Sequence, residues 1–319
     1  MNPAAAPAAP VKDFLSILDL QAGGLSGLLD LAAQLKAERP LADQAPTANA
    51  LRGAHVGLLF EKPSLRTRST FEIAAHELGG HALDIPAQFA DGGREPLEDI
   101  ARNLERWVKA LVIRTYAHDK VMTFASSAPM LHVINALSDQ EHPCQALADM
   151  LTLREQWGSC QGRILAYVGD GNNVATSLAH AAPQLGISLH LASPRGYELP
   201  EGVIQDAMRG ARDGARVRTF TDPREAVAGV DAVYTDVWTS MGQEVEAAKR
   251  RRIFRPYQVT SALMAAAAPG ALFMHCLPAR RGEDVSAEVF ESRASVVFDQ
   301  AENRLHTQKA LLLTLLGAL

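Results

Sequence analysis

The chain lacks most of the features that would commit it to a specialised class. It has three cysteines in 319 residues, Cys144, Cys160 and Cys276, an odd number at wide spacing that suits neither a disulfide framework nor a zinc pattern. A reducing cytoplasm is the expected setting. No apolar run approaches the roughly 18 to 20 residues that span a bilayer, so no membrane partner is expected. Met1-Asn2-Pro3 and the following Ala/Pro tract lack the charged-then-apolar order of a signal peptide, and residues up to about Pro10 read as a flexible tail. Basic charge is not in excess. The 31 Lys and Arg stand against 36 Asp and Glu, mixed along the chain for a net charge of −5, which leaves nucleic acid without a face to bind. No repeat of 20 to 50 residues is visible, which removes solenoids and propellers.

What is present is apolar substance and alternation. A hydrophobic content of 47% over this length fills the cores of two ordinary domains. Between Asp13 and Leu35 the apolar spacing predicts two helical segments around Ala22-Gly23-Gly24. Short apolar runs at residues 54–60, 81–85, 110–113 and 131–134 then alternate with helix-period stretches. Pro96 falls in the first turn of one of them, and Asp91-Gly92-Gly93 lies in a polar loop. A second series follows, with strands at 164–168, 188–192, 217–220, 232–237, 272–275 and a short 295–298, before a final amphipathic helix over 301–316. Such alternation predicts an α/β fold with two doubly wound parallel sheets. The break at Gly158 to Gly162 suggests a division into residues 1–150 and 151–319.

In open parallel sheets, ligands bind beyond the carboxyl ends of the strands. That rule selects Ser64 to Arg68, Arg114, His142 with Gln145, Asn172-Asn173, Asp236 with Ser240, and Cys276. The stretch Phe60 to Gly80 joins a strand to a helix through Ser64-Leu65-Arg66-Thr67-Arg68, where unpaired helix N–H groups and forked Arg donors suit a phosphate or carboxylate. The same spacing equally describes a capped helix start with solvated arginines. Val168-Gly169-Asp170-Gly171-Asn172-Asn173 invites a dinucleotide-binding reading, but Val174 stands at the third glycine position and no acidic residue closes the following strand. Its asparagines offer amide donors for a carboxylate, or a side-chain-stabilised turn. Asp236 ends a buried strand with Ser240 four residues on, a pairing that could hold an amine, or cap a turn. Cys144 and Cys160 read as small core hydrophobes; Cys276, in His275-Cys276-Leu277-Pro278, differs by sitting at a strand end. His142 reads equally as a solvent-facing helix start and as a catalytic group. By pattern alone Arg304 is one more exposed helical arginine.

Five ordered motifs change these odds: Ser64-Leu65-Arg66-Thr67-Arg68, His142-Pro143-Cys144-Gln145, Asp236 with Ser240-Met241-Gly242, His275-Cys276-Leu277-Pro278, and Ala301-Glu302-Asn303-Arg304. Together they resemble the aspartate/ornithine carbamoyltransferase family over nearly the whole chain after the tail. The serine-methionine-glycine and histidine-cysteine-leucine-proline motifs point to the ornithine branch. The resemblance implies transfer of a carbamoyl group from carbamoyl phosphate to the δ-amine of L-ornithine, with no metal or organic cofactor. It implies a first, carbamoyl-phosphate-binding domain (1–150), a second, ornithine-binding domain (151–319), and a last helix, about 301–319, that packs back on the first. It also implies a homotrimer.

Residue by residue, the resemblance gives phosphate to Ser64, Leu65 through its backbone amide, Arg66, Thr67 and Arg114. The carbamoyl oxygen goes to Thr67, Arg114 and His142, and the carbamoyl nitrogen to Gln145 and the Leu277 carbonyl, with Cys276 and Arg304 nearby. Asn173 and Met241 take the ornithine carboxylate, Asp236 and Ser240 its α-amine. Arg114, His142, Asp236 and Cys276 are the implied catalytic group. Gln88 matches a glutamine that members contribute across a subunit boundary, although Phe89-Ala90 replaces the usual glycine-containing sequence. Leu65 stands where many members carry Thr, and Arg280 where many carry His. Asp236 with Ser240-Met241-Gly242 favours a free amino acid over putrescine or an N-acylated ornithine. Val174 and the missing acid oppose the rival reading, an NAD-binding oxidoreductase.

Overall fold

The computed structural model describes residues 11–20, 23–90, 93–239 and 244–318. In chain order the elements are α1 (Gly24–Glu38), β1 (His55–Phe60), α2 (Leu65–Glu77), β2 (His81–Ile85), α3 (Leu97–Leu104), β3 (Ala110–Arg114), α4 (His118–Ser127), β4 (His132–Leu137) and α5 (Pro143–Trp157). They continue with β5 (Ile164–Val168), α6 (Asn173–Ala181), β6 (Ser188–Ala192), α7 (Glu201–Arg209), β7 (Val217–Phe220), α8 (Pro223–Val227) and β8 (Ala232–Thr235). The rest are α9 (Ala247–Phe254), α10 (Ser261–Met264), β9 (Leu272–His275), α11 (Ala287–Phe290) and α12 (Val297–Leu316). The flexible tail to Pro10, Ala22 of the first glycine break, Asp91-Gly92 of the polar loop, and Ser240, Met241 and Gly242 lie outside the described residues.

The chain divides into two compact units, residues 1–138 with 305–319, and residues 139–304. The first contains a four-stranded sheet in the order β2-β1-β3-β4 and the second a five-stranded sheet in the order β7-β6-β5-β8-β9. Every pairing is parallel, as expected of strands read from continuous apolar runs rather than alternating ones. Val112 and Val133 in the first unit and Ala166, Val233 and Phe273 in the second are completely buried. Each sheet reverses its winding once, between β1 and β3 in the first unit and between β5 and β8 in the second.

Three local expectations fail for identifiable reasons. The first segment of the region from Asp13 is not an α-helix: Phe14 forms a parallel bridge with Ile134, its N–H bonding Val133 O at 2.8 Å, and only Ile17–Asp19 turn as a 3-10 segment. Apolar spacing could not distinguish a helix face from an extended segment docked on the edge strand β4. Residues 295–298 do not form a strand either. Ser295 makes an isolated bridge with Phe273 and Val297 already opens α12. Pro96 is the N-cap of α3 rather than a first-turn residue.

Gly171 has a packing reason rather than a phosphate one. A methyl group there would come within 2.5 Å of Leu199 N and 2.6 Å of Glu198 C, so the space that a dinucleotide fingerprint keeps open for pyrophosphate is taken by the chain's own backbone. Backbone cannot rotate away as a side chain can. Gly171→Ala is expected to destabilise the second unit by about 1 to 3 kcal/mol, read as a thermal midpoint several degrees lower; an unchanged midpoint would contradict this packing.

Candidate active site

In the first unit, the winding reversal sets the end of β1 beside the end of β3, with Phe60 in register with Arg114. Ser64 occupies the N-cap position of α2 with extended backbone (φ −152°, ψ 106°), yet its side chain makes no capping bond. No acidic residue stands in the first turn of α2, so the positive end of the helix dipole is not offset by a carboxylate of its own first turn. Leu65 is 78% exposed and Thr67 is buried, with Arg66 between them half-buried. Arg114, the last residue of β3, is buried at the same sheet edge. The arrangement is a helix start and two guanidinium groups at a switch point, which suits a phosphate-sized anion.

Arg68 is engaged elsewhere. Its guanidinium pairs with Asp84 on β2 and lies 4.8 Å from the Phe60 ring centroid. Gln88 is exposed on a 3-10 turn, Ala87–Ala90.

In the second unit, the switch point between β5 and β8 gathers a denser set. Asn172, one residue before α6, accepts from Val174 N (3.0 Å) and Ala175 N (3.1 Å) as a side-chain N-cap. Its amide donates to Asp236 Oδ2 at 2.8 Å. An asparagine amide thus does meet a carboxylate here, but one belonging to the chain itself. Asp236 Oδ1 accepts from Val237 N (2.7 Å) and from the Cys276 thiol (3.0 Å). The beginning of α6 leaves Asn173 half-buried beside this group.

Cys276 follows β9, and its loop is fixed by a buried relay. Leu277 N donates to His275 Nδ1 (2.8 Å), which requires the hydrogen on Nε2, and that nitrogen donates to Asp284 Oδ2 (2.9 Å). Asp284 also accepts the Arg280 N–H at 3.1 Å from each oxygen. The Arg280 side chain, facing Glu283 at 3.5 Å, is exposed, so the loop depends on the backbone at position 280. Leu277 adopts φ +59°, a left-handed conformation costly for a side chain with a Cβ. Asp236, His275 and Cys276 are the one group among the described residues with metal-ligand proximity. Both imidazole nitrogens are already committed, so the trio as built offers a metal no histidine lone pair.

His142 is buried at the N-cap of α5, whose Pro143 occupies the first helical position and whose Gly158 ends it at φ +71°. His142 N donates to Ser177 Oγ (2.9 Å), and Ser177 donates to Glu141 (2.8 Å), which also holds His180 Nδ1 (3.0 Å). Gln145, buried on the next turn, accepts from Arg304 Nη1 at 2.7 Å. Arg304 is 1% exposed, which corrects the surface arginine expected from pattern alone. Cys144 and Cys160 are buried as expected; burial pushes the Cys144 thiol up to about 12.

Several partners escaped sequence reading. Asp149 is fully buried and bonded to Gln145, Gln300 and Tyr234. Burial pushes its carboxyl up to about 7, against the opposing pull of these hydrogen bonds and of Arg304. Arg250, buried on α9, holds Asp170 and the Trp238 carbonyl. The spacing of Gln145 to Asp149 and of Gln300 to Arg304, four residues on a helix, was the available signal; Asp284, Ser177 and Arg250 left none.

Two parallel sheets of this order, each with polar groups gathered at its winding reversal, define a two-sheet α/β protein with candidate ligand sites at the strand ends. Residues 12–155 match the family description "Aspartate/ornithine carbamoyltransferase, carbamoyl-P binding domain", and residues 161–315 match "Aspartate/ornithine carbamoyltransferase, Asp/Orn binding domain". The chain belongs to the aspartate/ornithine carbamoyltransferase family. It is 49% identical to an ornithine carbamoyltransferase of Methanospirillum hungatei over 96% of this chain and 99% of the relative. An ornithine carbamoyltransferase of Acidothermus cellulolyticus is 50% identical over 97% of each. Among solved structures, the ornithine carbamoyltransferase from Pyrococcus furiosus superposes with a TM-score of 0.92 at 45% identity, covering 98% of this chain and 100% of that one. That from Thermus thermophilus gives 0.85 at 45% identity, covering 96% and 99%.

The difference in burial between the cysteines can be read chemically. In the folded protein a maleimide should label the half-buried Cys276, whereas Cys144 should react only after denaturation. Mass mapping of the modified peptides checks this, and rapid labelling of Cys144 in native protein would contradict the packing of α5.

Proposed function

We propose that the protein transfers the carbamoyl group of carbamoyl phosphate to the δ-amine of L-ornithine, releasing L-citrulline and phosphate. The observation that carries the reading is the contact of the Cys276 thiol with Asp236 Oδ1 at 3.0 Å, beyond the ends of β8 and β9, within a chain close in sequence to ornithine carbamoyltransferases. A primary alkylamine has a pKa near that of Lys, about 10.4, so the nucleophile arrives protonated. Asp236 and Cys276 are the groups assigned to position it and accept that proton.

Ser64, Arg66, Thr67, Arg114 and the backbone amide of Leu65 are assigned to the phosphate. As the amine adds to the carbonyl carbon, negative charge grows on the carbamoyl oxygen, and Thr67, Arg114 and His142 are its donors. The C–O bond to phosphate then breaks, with the leaving group's charge held by Arg66 and Arg114. Gln145 and the Leu277 carbonyl accept from the carbamoyl nitrogen, with Arg304 behind Gln145. Asn173 and Met241 are assigned to the α-carboxylate, Asp236 and Ser240 to the α-amine, and Gln88 to a neighbouring subunit's site. The carbamoyl-phosphate-binding domain is taken as residues 1–150 and the ornithine-binding domain as 151–319. The return of the last helix to the first domain is supported by the grouping of Leu305–Leu319 with residues 1–138 and by the Lys309 to Glu77 ion pair at 3.1 Å. No helix among the described residues is long and apolar enough to cross a membrane, and a cytoplasmic homotrimer is the proposed working form.

Incubation with carbamoyl phosphate and a panel of amines should give a ureido product with L-ornithine above all others; no citrulline would overturn the reading. Two adjacent arginines sharpen it. Arg66→Ala should cost about 2 to 5 kcal/mol of transition-state stabilisation, on the order of a 30-fold to several-thousand-fold fall in kcat/KM. Arg68→Ala removes a partly exposed ion pair and the contact with the Phe60 ring and should change activity by no more than a few-fold. Equal effects would mean that the turn is not the phosphate site. Sedimentation at working concentration should return three times the chain mass, and a monomer would remove the trimer.

A further inference from the structure

We propose that Asp149 is a positioning residue that fixes which end of the Gln145 amide faces the reactant, so that a carbonyl oxygen rather than an amino group is offered to the carbamoyl nitrogen. The proposal rests on the assignment of Gln145 to that nitrogen. The two ends of a glutamine amide are nearly the same shape and opposite in function, so geometry alone does not choose between them. Its neighbours do. Asp149 lies one turn further along α5, and its Oδ1 is 2.8 Å from Gln145 Nε2. That oxygen also accepts from Gln300 Nε2 at 2.7 Å, so with any carboxyl proton on Oδ2, beside Tyr234 OH, it remains an acceptor and takes the amino end. On the other side Arg304 Nη1 is 2.7 Å from Gln145 Oε1, and a guanidinium only donates, so it takes the carbonyl end. Rotating the amide would face donor to donor and acceptor to acceptor at once, in a place where Gln145, Asp149 and Arg304 are all at most 2% exposed and water does not repair the mismatch. The carbonyl oxygen has a second lone pair, which remains for a substrate N–H.

Asp149 is itself held. Gln300 Nε2 donates to its Oδ1 (2.7 Å) and Tyr234 OH to its Oδ2 (3.2 Å). Gln300 uses its other end to accept from His275 N at 3.1 Å, next to Cys276. The orientation of one amide is thereby tied to the strand that carries the thiol.

The specific consequence is recognition of an –NH2 group, which a structural defect would not imitate. Inhibition of the full chain by phosphonoacetamide, which carries that group, is compared with inhibition by acetonylphosphonate, in which a methyl replaces it. The unaltered protein should prefer the amide by about tenfold, the order of one buried hydrogen bond. In Asp149→Leu, which replaces the buried carboxylate by an apolar side chain, the ratio should fall severalfold, while inhibition by inorganic phosphate stays the same; Asp149→Ala serves if that variant does not fold. Asp149→Asn, whose Oδ1 can still accept from Gln145 and Gln300, should keep the ratio, and a loss there would mean that charge rather than orientation acts. Gln145→Ala should lower the ratio to what the Leu277 carbonyl alone supplies. If Gln145→Ala lowers it and Asp149→Leu and Asp149→Ala do not, the role given to Asp149 is wrong. If Gln145→Ala leaves it unchanged, the assignment of Gln145 falls, and the proposal with it.

Discussion

A parallel sheet covered on both faces must reverse its winding somewhere, and at that point the two neighbouring connections leave in opposite directions. The carboxyl ends of those two strands are then uncovered by helix. Ser64 to Thr67, Arg114, Asn173 and Asp236, all proposed to touch substrate, stand at such an opening. In the first unit it lies between β1 and β3, where Phe60 and Arg114 are in register. In the second it lies between β5 and β8, where Asn172 and Asp236 meet. Both sites are built by loops that begin where an apolar strand ends, so charge is brought to the edge of a core without entering it.

The polar groups around Asp236, His275 and Asp149 are closely satisfied. Asp236 takes three donors, His275 uses both ring nitrogens, and Asp149 takes three donors. A buried network that is satisfied holds its members in one arrangement, whereas a single missing partner costs the desolvation of the group left behind. Rigidity of this kind is what electrostatic catalysis needs, since donors already aimed at developing charge do not have to reorganise. Leu277 at φ +59° fits the same description: the His275 and Asp284 relay holds a conformation that the residue would not choose.

The fold was largely legible because its signals are local. Nine apolar runs found in the sequence correspond to the nine strands, with ends shifted by at most a few residues, and Gly158 ends α5 where the pattern breaks. What escaped was decided by partners far away in sequence. Phe14 extends because β4 accepts it, 120 residues on, and of residues 295–298 Ser295 is held by a bridge to Phe273 while Val297 and Phe298 already belong to α12. The candidate site was legible for the same reason as the strands, since strand ends select Arg66, Arg114, Asp236 and Cys276 without any contact information. Its supports were not. Nothing in the sequence ties Asp284 to His275 or Ser177 to His142, and Arg304 passes for a surface residue until its burial is seen.

Residues 305–319 group with residues 1–138, and Ala310, Leu311, Leu312, Leu313 and Leu315 are buried. The stretch 139–304 is thus an insertion in a unit whose first and last pieces are separated by 166 residues. During synthesis from the amino end, the inserted unit is complete before the one that encloses it. The first four strands must wait, with part of their apolar surface unpartnered, while the ribosome makes another whole sheet. Loss of the final turns of α12 would accordingly fall on the half of the protein translated first.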